Sequence, residues 1–513
     1  MEKSVRVRFA PSPTGLLHIG GLRTALFNYL FAKKHGGDFL LRIEDTDQTR
    51  YDARAEKYIQ ESLIWAGITP DESPWNGGEV GPYRQSERKA IYGQYAQQLL
   101  NAGHAYYAFD TPEELDAMRQ RLKEAGSSNQ QYNAITRKQM TNSLTLSRDE
   151  VQAKLAAGEP YVIRLKVPQK EELRLNDMVR GWVVVHSFTI DDKVIMKSDG
   201  MPTYHLANVV DDHLMGITHV IRGEEWLPSA PLHLLLYRFL GWEATMPKFA
   251  HLPLLLKPNG NGKLSKRDGD KLGFSVFPLA DKDPVSGAVT TGFREDGFLA
   301  EAFVNFLALL GWNPGDEREI FSLEELVKEF DIERVSKSGA KFDIEKAKWF
   351  NQQYLKSKSE TELAQLLLAE LAKEGIECSE DKAQQISGLM RERVVFSHEL
   401  WTNAQYFFQR PTAYNEKVIR KKWTQDAVTI LTDYKDAVKE ANGFSADEAK
   451  EVLLAILDKH GMGMGKVMQS LRVAVTGEGN GPDLMPLLSI LGKEEVATRI
   501  ATAIEKLADQ VKV

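Results

Sequence analysis

Residues 5–47 constrain the fold more than any other part of the chain. Val5–Phe9 alternates apolar and charged residues and then meets a loop rich in proline and glycine, as a strand does where it ends. Apolar positions recur at helical spacing over Leu22–Lys34, and a second strand-like run follows at Phe39–Ile43. Strand, helix and strand in this order form a βαβ unit. The pattern predicts a parallel sheet with ligands bound at the carboxyl ends of its strands.

The rest of the 513-residue chain indicates several domains, at roughly 150 residues each. Residues 84–130 look helical, strongly so from Arg88 to Ala102, and strand-like runs then predict an α+β insertion. Sheet character returns at Met201–Val210 and at His219–Ile221. Beyond about residue 295, helical periodicity dominates. The predicted strands of the insertion are Tyr161–Val167, Trp182–Thr189 and Lys193–Met196, and the predicted later helices are Phe298–Leu310, Leu323–Phe330, Glu360–Lys373, Ser379–Ser397, Ala446–His460 and Glu494–Gln510.

Net charge and cysteine content exclude several classes of protein. The 65 basic and 72 acidic residues give a net charge of −7, which excludes binding of nucleic acid by bulk charge but not by a local basic face. A single cysteine, Cys378, allows neither an internal disulfide nor a cysteine-rich zinc site. The first residues lack the apolar core of a signal peptide, and no apolar run reaches the roughly 18 residues of a membrane span. We therefore expect a cytoplasmic enzyme with no membrane segment.

The loop from Arg8 to Gly21 is the first candidate site. Its prolines and glycines hold the backbone tightly, and the N-terminus of the following helix offers free N–H groups that favour a phosphate. His18, just before the helix, could donate a hydrogen bond to a phosphate oxygen as charge develops. A proline-stiffened turn with a capping histidine explains the same residues equally well.

A second candidate is the sequence Lys263-Leu-Ser-Lys266-Arg267, which follows Pro-Asn-Gly-Asn-Gly. Three cations in five residues on a glycine-rich loop suit a mobile clamp on a polyphosphate. Taken alone, such a sequence is more often a solvated basic loop.

Together these two motifs resemble the paired signatures of class I aminoacyl-tRNA synthetases, and further blocks resemble the bacterial glutamyl-tRNA synthetases. Resemblance is dense over roughly residues 1–270 and looser beyond. The blocks are Arg-Phe-Ala-Pro-Ser-Pro-Thr-Gly (8–15), Ile-Glu-Asp-Thr-Asp (43–47), Gly-Pro-Tyr-Arg-Gln-Ser-Glu-Arg (81–88), Tyr-His-Leu-Ala-Asn-Val-Val-Asp-Asp (204–212) and Ile-Arg-Gly-Glu-Glu-Trp (221–226).

The resemblance implies a fold and a division into domains. We expect an α/β Rossmann-type catalytic domain with an α+β insertion, followed by mostly α-helical C-terminal domains. The implied divisions are a catalytic domain at 1–83 and 201–257, an insertion at 84–200 that binds the acceptor end of tRNA, a stem-contact region at 258–340 with the Lys-Leu-Ser-Lys-Arg loop, and an anticodon-binding region at 341–513, split near residue 390.

The resemblance also implies which residues bind substrates. The implied glutamate-binding residues are Arg8, Ser12, Glu44, Tyr204, Asn208 and Arg222; the implied ATP-binding residues are Thr14, His18, Gly20, Glu225, Trp226 and Lys266; and the catalytic residues are His18, Lys263 and Lys266. Glutamate carries two carboxylates and one ammonium, so two arginines and one glutamate suit it chemically. For each arginine taken alone, a surface ion pair is the more ordinary explanation.

The implied reaction activates L-glutamate with ATP and transfers it to tRNA(Glu) through glutamyl-adenylate. Mg²⁺ would neutralise the departing pyrophosphate, and the resemblance suggests a monomer that requires tRNA before the adenylate forms. tRNA(Gln) is an open second partner. Two departures stand out. Tyr106-Tyr-Ala-Phe109 occupies the place where some relatives have zinc-binding cysteines, so we expect no structural zinc, and an extra stretch of about 276–292 is expected to be a surface loop.

A basic and aromatic stretch, residues 391–422, is a candidate for binding the anticodon. It carries seven basic and three acidic residues, a local charge of +4. Unstacked bases are usually held by stacking and by cations. The alternative is that its aromatics belong to a helical core. The residues assigned to tRNA are Arg391, Arg393, Arg410 and Arg420, and the interleaved aromatics are Phe396, Trp401, Tyr406, Phe407, Phe408 and Tyr414.

Three other functions compete with this interpretation. A glutaminyl-tRNA synthetase would hold a neutral amide and would have a β-barrel anticodon region, whereas this chain is helical there. The short paralogue that transfers glutamate to a tRNA base lacks an anticodon region altogether. A non-catalytic tRNA-binding relative would be expected to lose the triplet His18, Lys263 and Lys266, which is complete in this sequence.

Overall fold

The computed structural model describes residues 4–512, apart from the side chain of Asp270, and divides into two compact units. The first comprises the chain up to Glu295 together with Phe303–Ile344, and the second comprises Asp296–Ala302 together with the chain from Glu345 onward. Within the described residues, no helix is both long and apolar enough to cross a membrane.

Parallel strands form the centre of the first unit. Arg6–Phe9 pairs in parallel with Asp38–Leu41, and the helix Ile19–Lys34 connects them, which confirms the predicted βαβ unit. A second parallel pair joins His219–Gly223 to Lys248–Leu252, with the helix Ala230–Phe239 between them. The Thr218 backbone N–H donates to the Arg6 carbonyl at 2.9 Å, so the two pairs lie side by side. The helix Ala53–Trp65 follows the first pair.

The prediction of sheet at Met201–Val210 is wrong, because Tyr204–Leu214 is a helix. Seven consecutive residues of this helix, Leu206 to Asp212, are buried, so the periodicity of a half-exposed helix is missing from the sequence. The adjacent valines 209 and 210 further favoured a strand.

The insertion combines helices with antiparallel strands. The strand Ala105–Ala108 corrects the prediction that residues 84–130 are helical throughout, and it pairs with Val162–Leu165, which in turn pairs with Val194–Met196. A hairpin joins Glu172–Asp177 to Gly181–His186. The helices of the insertion are Lys89–Asn101, Pro112–Glu124 and Arg148–Ala156.

The end of the first unit packs short elements around the loop of Lys263 and Lys266. Leu255–Leu256 pairs in parallel with Ala340–Lys341, and the helices here are Gly269–Leu272, Ala300–Leu309 (of which Phe303–Leu309 belongs to the first unit) and Leu323–Glu329. The extra stretch of about 276–292 contains the hairpin Asp281–Lys282 and Val289–Thr290. The prediction of a surface loop holds only for the tip of this stretch, where Val285 and Val289 are exposed. Val276 and Leu279 at its base are buried, and Leu279 exchanges hydrogen bonds with the Tyr58 hydroxyl.

The second unit is helical, as the sequence predicted. Its core includes the fully buried side chains of Trp423, Tyr434 and Leu488. The predicted helix over Ser379–Ser397 ends earlier, at Met390. The helices are Ile344–Ser357 (which begins at the boundary), Glu360–Lys373, Glu380–Met390, Glu399–Thr402, Glu416–Lys422, Gln425–Glu440, Ala446–Lys459, Met468–Thr476, Leu484–Leu491 and Lys493–Lys506.

Candidate active site

A cavity of about 280 Å³ lies at the carboxyl ends of three parallel strands of the first unit. Arg8 comes from the end of one strand, Arg222 from another, and Glu44 from the segment after the third. The residues predicted to bind glutamate all line this cavity, as do three of those predicted to bind ATP: Arg8, Ser12, Glu44, Tyr204, Asn208 and Arg222, with Gly20, Glu225 and Trp226.

Carboxylates balance the charge of Arg8. Its Nε and Nη2 donate to the two oxygens of Asp212 at 2.9 and 3.2 Å. Asp212 also accepts from Arg42 Nη1 at 2.8 Å, and Arg42 Nη2 donates to Glu44 at 2.9 Å. Burial favours the neutral acid at Asp212, but Arg8 and Arg42 outweigh it and lower the pKa of Asp212. The four side chains form a buried network of two cations and two carboxylates.

The helix Tyr204–Leu214 presents one face to the cavity. Tyr204, Asn208 and Asp212 follow one another at intervals of four residues, which places them on the same side of a helix. Asn208 donates to Glu44 at 3.0 Å and Tyr204 accepts from Arg222 at 2.8 Å. Asp212 and Arg42 are residues of the site that the sequence analysis missed. The four-residue spacing was the available signal for Asp212.

Neutral groups, by contrast, surround Arg222. Its Nε donates to His251 Nε2 at 3.0 Å, and its Nη2 donates to the Trp226 carbonyl at 3.3 Å. Its Nη1 lies 3.5 Å from His233 Nδ1. Burial and the nearby Arg222 charge lower the pKa of His233 well below its usual value, so that ring is neutral. Across residues 4–512, Arg222 makes no ion pair, although only 5% of it is exposed.

His18 caps the helix Ile19–Lys34 at one side of the cavity. Its Nδ1 accepts from the Gly20 backbone N–H at 3.0 Å, so the ring proton is on Nε2. That Nε2 is buried and has no hydrogen-bond partner in the described part of the chain. Burial, together with the charges of Lys266 and Lys263, lowers the pKa of His18 to about 4. The ring is therefore a neutral donor with its N–H unused.

The loop that carries Lys263 and Lys266 lies close to His18. Gly15 has a φ of +150°, a backbone conformation that favours glycine, and a Cβ added to it would lie 3.3 Å from Lys266 Nζ, which places that ammonium beside the signature loop. Burial lowers the pKa of Lys266. Lys263 pairs with Glu225 at 2.9 Å. Thr14, predicted to bind ATP, is exposed and does not line the cavity.

The blocks at 43–47, 81–88 and 204–212 meet behind the cavity. The Asp45 carboxylate accepts from the Ser86 backbone N–H at 2.8 Å. Asp211 accepts from Arg88 at 2.7 Å and from Gln85 at 2.9 Å. Widely separated motifs therefore serve one site.

Trp226 covers part of the opening. Its ring lies 4.4 Å from that of Tyr204, centroid to centroid, and 42% of the residue is exposed. An exposed aromatic at the rim of a polar cavity provides a flat surface for a ligand to stack on.

The second unit contains a separate cavity of about 610 Å³. Arg393 and Arg410 line it, whereas Arg391 and Arg420 do not. Arg410 forms a bidentate ion pair with Glu495, in which Nε donates to Oε1 at 2.9 Å and Nη2 donates to Oε2 at 2.7 Å. Arg472, beside this cavity at Gly481, has a buried Nη1 without a partner among residues 4–512, and sequence analysis did not single it out.

The aromatic residues of the 391–422 stretch are mainly part of the core. Trp401 and Phe407 are buried, and Phe396, Tyr406, Phe408 and Tyr414 are half-buried. Stacking of bases on the buried rings of Trp401 and Phe407 would require the unit to rearrange, whereas the half-buried Tyr406 already lines the cavity. The candidates for contact with bases are therefore Tyr406 and the polar residues that line the cavity.

No group of three metal-ligating side chains (His, Cys, Asp or Glu) lies together within the described residues. Tyr106, in the stretch where no zinc site was expected, is buried and its hydroxyl donates to Asp192 at 2.7 Å.

Comparisons with known proteins agree with this geometry. Residues 4–349 match the family model described as tRNA synthetases class I (E and Q), catalytic domain, and residues 362–504 match an anticodon binding domain. A glutamate–tRNA ligase of Cytophaga hutchinsonii is 59% identical over 511 residues, 99% of each chain, and one of Amoebophilus asiaticus is 56% identical over 504 residues, 98% of each. A crystal structure of a glutamate tRNA ligase from Elizabethkingia meningosepticum, in complex with its amino acid, matches with a TM-score of 0.95 and 51% identity over 98% of this chain and 100% of that one. The chain belongs to the glutamate–tRNA ligase family of class I aminoacyl-tRNA synthetases.

Proposed function

We propose that this chain ligates L-glutamate to the 3′ end of tRNA(Glu) through a glutamyl-adenylate, releasing AMP and diphosphate. One observation carries the proposal. Arg222, a buried cation with no ion pair to any described residue, lines the same cavity as Arg8 and Glu44. A buried charge of this kind is costly unless a ligand of opposite charge completes it.

Glutamate fits the charges of the cavity group by group. Arg222 would receive the side-chain carboxylate, since its neutral partners leave its charge available, and Tyr204 would share that contact. Arg8 and Ser12 lie on the side of the signature loop and would hold the α-carboxylate near ATP. Glu44, held by Arg42 and Asn208, would accept the ammonium group.

In the first step, a carboxylate oxygen of glutamate attacks the α-phosphorus of ATP, and pyrophosphate leaves with the broken bond's electron pair. His18 is suited to donate its free Nε2–H to a phosphate oxygen. Lys266, with Lys263, would stabilise the charge that develops on the departing phosphates. Gly20 and Trp226 would contact the nucleotide, and Thr14 would do so only if the loop closed over it.

Two carboxylates lie near His18 on the phosphate side, and both are already paired: Glu225 with Lys263 and Asp268 with Lys257. The protein therefore offers little for a resident divalent ion. We propose that Mg²⁺ arrives bound to the phosphates of ATP, where it supplies charge neutralisation of the pyrophosphate.

In the second step, a ribose hydroxyl of the terminal adenosine of tRNA attacks the acyl carbon and AMP leaves. The insertion, residues 84–200, is proposed to bind the acceptor end, residues 258–340 the stem, and residues 341–513 the anticodon. The cavity lined by Arg393 and Arg410 supports a base-binding role in the last region. Arg391 and Arg420 stay predictions for contacts outside it. We further propose that the enzyme acts as a monomer in the cytoplasm.

Aminoacylation of purified tRNA(Glu) and tRNA(Gln) with labelled glutamate, and separately with labelled glutamine, tests this function. Glutamate on tRNA(Glu) alone would establish a discriminating enzyme. Glutamate on both would make tRNA(Gln) a second substrate. Charging with glutamine, or no charging of either tRNA, would contradict the proposal.

Lys266→Ala tests the assigned chemistry. We expect the rate of adenylate formation to fall roughly 100- to 1,000-fold with little change in glutamate affinity, because Lys266 acts on charge that appears only in the transition state. Lys271→Ala is the matched control, since Lys271 is an exposed lysine five residues away. A loss confined to glutamate affinity would remove Lys266 from this role.

A further inference from the structure

A buried chain of hydrogen bonds continues behind Arg222, away from the cavity. Arg222 Nε donates to His251 Nε2 at 3.0 Å, and His251 Nδ1 lies 2.6 Å from an oxygen of Asp177. None of the three residues is more than 5% exposed. They belong to three different elements, and Asp177 ends a strand of the insertion, Glu172–Asp177.

The chemistry of these groups fixes where the protons lie. A guanidinium only donates, so His251 Nε2 must be the unprotonated acceptor. Its other nitrogen therefore carries the proton and donates to Asp177. The second oxygen of Asp177 is occupied by the backbone N–H groups of Val179, Arg180 and His251 at 3.0, 2.9 and 3.2 Å. Burial also lowers the pKa of His251, which keeps the ring neutral.

We propose that Asp177 and His251 are positioning residues, which aim Arg222 at the side-chain carboxylate of glutamate. The inference rests on the proposed function, in which Arg222 recognises that carboxylate. It adds that the amino-acid site depends on a carboxylate supplied by the insertion, outside the two strands that carry Arg222 and His251.

The orientation of the Arg222 guanidinium is set by the N–H groups that donate to protein acceptors. Nε is held by His251, and Nη1 faces Tyr204 and His233. Nη2 makes a single contact, 3.3 Å, with the Trp226 carbonyl, which leaves it a hydrogen for a ligand. A planar guanidinium fixed at Nε presents this edge in one direction, which is what recognition of a carboxylate requires.

The neighbouring Arg180 fastens the same turn of the insertion to this region. Its guanidinium pairs with Glu224, and its Nη1 donates to the Lys337 carbonyl at 2.7 Å. The Met178 backbone N–H donates to the Phe249 carbonyl at 2.8 Å. The turn that presents Asp177 is therefore held on both sides, so its carboxylate is a rigid anchor for His251.

Asp177→Asn is the sharpest test, because it changes one atom and keeps the shape. The amide oxygen can keep the three backbone N–H donors, so the amide nitrogen would take the place of the oxygen that faces His251. That nitrogen donates, so the ring proton must move from Nδ1 to Nε2. His251 Nε2–H would then point at Arg222 Nε–H, and the guanidinium could not stay where it is.

Three measurements on the full-length chain follow. We expect Asp177→Asn to raise the Kd for glutamate in calorimetry, and the KM for glutamate in charging, roughly 10- to 100-fold. The KM values for ATP and tRNA(Glu) should stay within about twofold. Long-range ¹H–¹⁵N spectra of the ¹⁵N-histidine-labelled protein, assigned with His251→Gln, should show the His251 proton on Nδ1 in the wild type and on Nε2 in the variant.

Asp192→Asn is the matched control. Asp192 is an equally buried aspartate of the insertion, bound to Tyr106 and Arg137 rather than to the cavity. We expect this substitution to lower the free energy of unfolding while leaving the glutamate Kd unchanged. An equal loss of glutamate affinity in both variants would overturn the proposal, because it would reflect a loosened insertion.

Other outcomes are equally decisive. A proton on Nε2 of His251 in the wild type overturns the proposal without any variant, even if Asp177→Asn does not fold. A shifted proton with unchanged glutamate affinity overturns it as well. A wild type that binds glutamate but does not charge tRNA contradicts the proposed function alone, since calorimetry and the spectra still test the positioning of Arg222.

Discussion

Two buried arginines line the same cavity, and they differ in what balances their charge. Arg8 is held by both oxygens of Asp212, within a network that also contains Arg42 and Glu44. Arg222 is held by imidazole, phenol and carbonyl groups, and no ion pair reaches it in the described part of the chain. Arg8 therefore belongs to a cluster with two positive and two negative groups, whereas the positive charge of Arg222 faces the cavity without a negative partner among the described residues.

This difference separates an arginine whose charge is largely balanced inside the protein from one whose charge only a ligand can balance. A buried ion network is stable only while every partner is present, because removing one leaves an uncompensated charge in a medium of low polarity. A buried cation without a counter-ion weakens the free protein and gains its partner when a carboxylate binds. The ion network around Arg8 therefore stabilises the shape of the pocket. The neutral partners of Arg222 leave its positive charge available to the carboxylate of the substrate.

Arg42→Met should have the largest effect on stability. Arg42 is fully buried and contacts Glu44 and Asp212, so its removal leaves Asp212 paired with Arg8 and leaves Glu44 with the neutral amide of Asn208. We expect the free energy of unfolding to fall by about 3–5 kcal/mol, measured by urea denaturation. The exposed Arg50, paired with Asp47, is the control, and Arg50→Met should change stability by less than about 0.5 kcal/mol. Equal effects would show that the network is not the source of stability.

Arg222→Met should behave in the opposite way. Removing a charge that has no counter-ion should change the free energy of unfolding by less than about 1 kcal/mol. Glutamate binding should weaken roughly 100-fold, and the preference for glutamate over glutamine should disappear, because the ligand's carboxylate loses its partner. Competition between the two amino acids in charging assays measures this. An unchanged preference for glutamate would show that Arg222 does not recognise the side-chain carboxylate. A stability loss as large as that of Arg42→Met would show that the two arginines do not differ in their contribution to folding.

The sequence predicted the cavity-lining residues better than the supports behind them. Arg8, Glu44 and Arg222 lie in motifs that could be recognised, and all three line one cavity. Arg42 and Asp177 were missed because a buried side chain in a strand or turn leaves no local pattern. Their importance comes from partners 170 and 74 residues away in sequence.

The errors in secondary structure have a common physical cause. The helix at Tyr204–Leu214 buries seven consecutive residues, polar ones among them, so the periodicity of a half-exposed helix is missing and the segment was taken for sheet. The base of the extra stretch was expected to be exposed, but tertiary contacts such as that of Leu279 with Tyr58 bury it. By contrast, the helix Glu360–Lys373, which keeps one face exposed, was predicted with both ends correct.

Acidification gives the smallest predicted effect on stability. It acts through His205, a histidine near Arg222. His205 Nδ1 lies 3.3 Å from His233 Nε2, and burial, with Lys193 and Arg222 outweighing Asp191, lowers the pKa of His205 to about 4. An unfolded histidine titrates near 6.5, so between these values the unfolded chain binds more protons and stability falls as pH falls.

From pH 7 to pH 5 this group should cost the wild type about 2 kcal/mol. The measurement is urea unfolding at both pH values, read by hydrogen exchange in the helix that contains His205. His205→Gln cannot titrate and should lose correspondingly less, whereas His186→Gln, at an exposed position, should follow the wild type. Equal acid sensitivity in wild type and His205→Gln would mean that a proton is accepted beside Arg222 without penalty. The neutral surroundings of Arg222 would then not be what distinguishes it from Arg8.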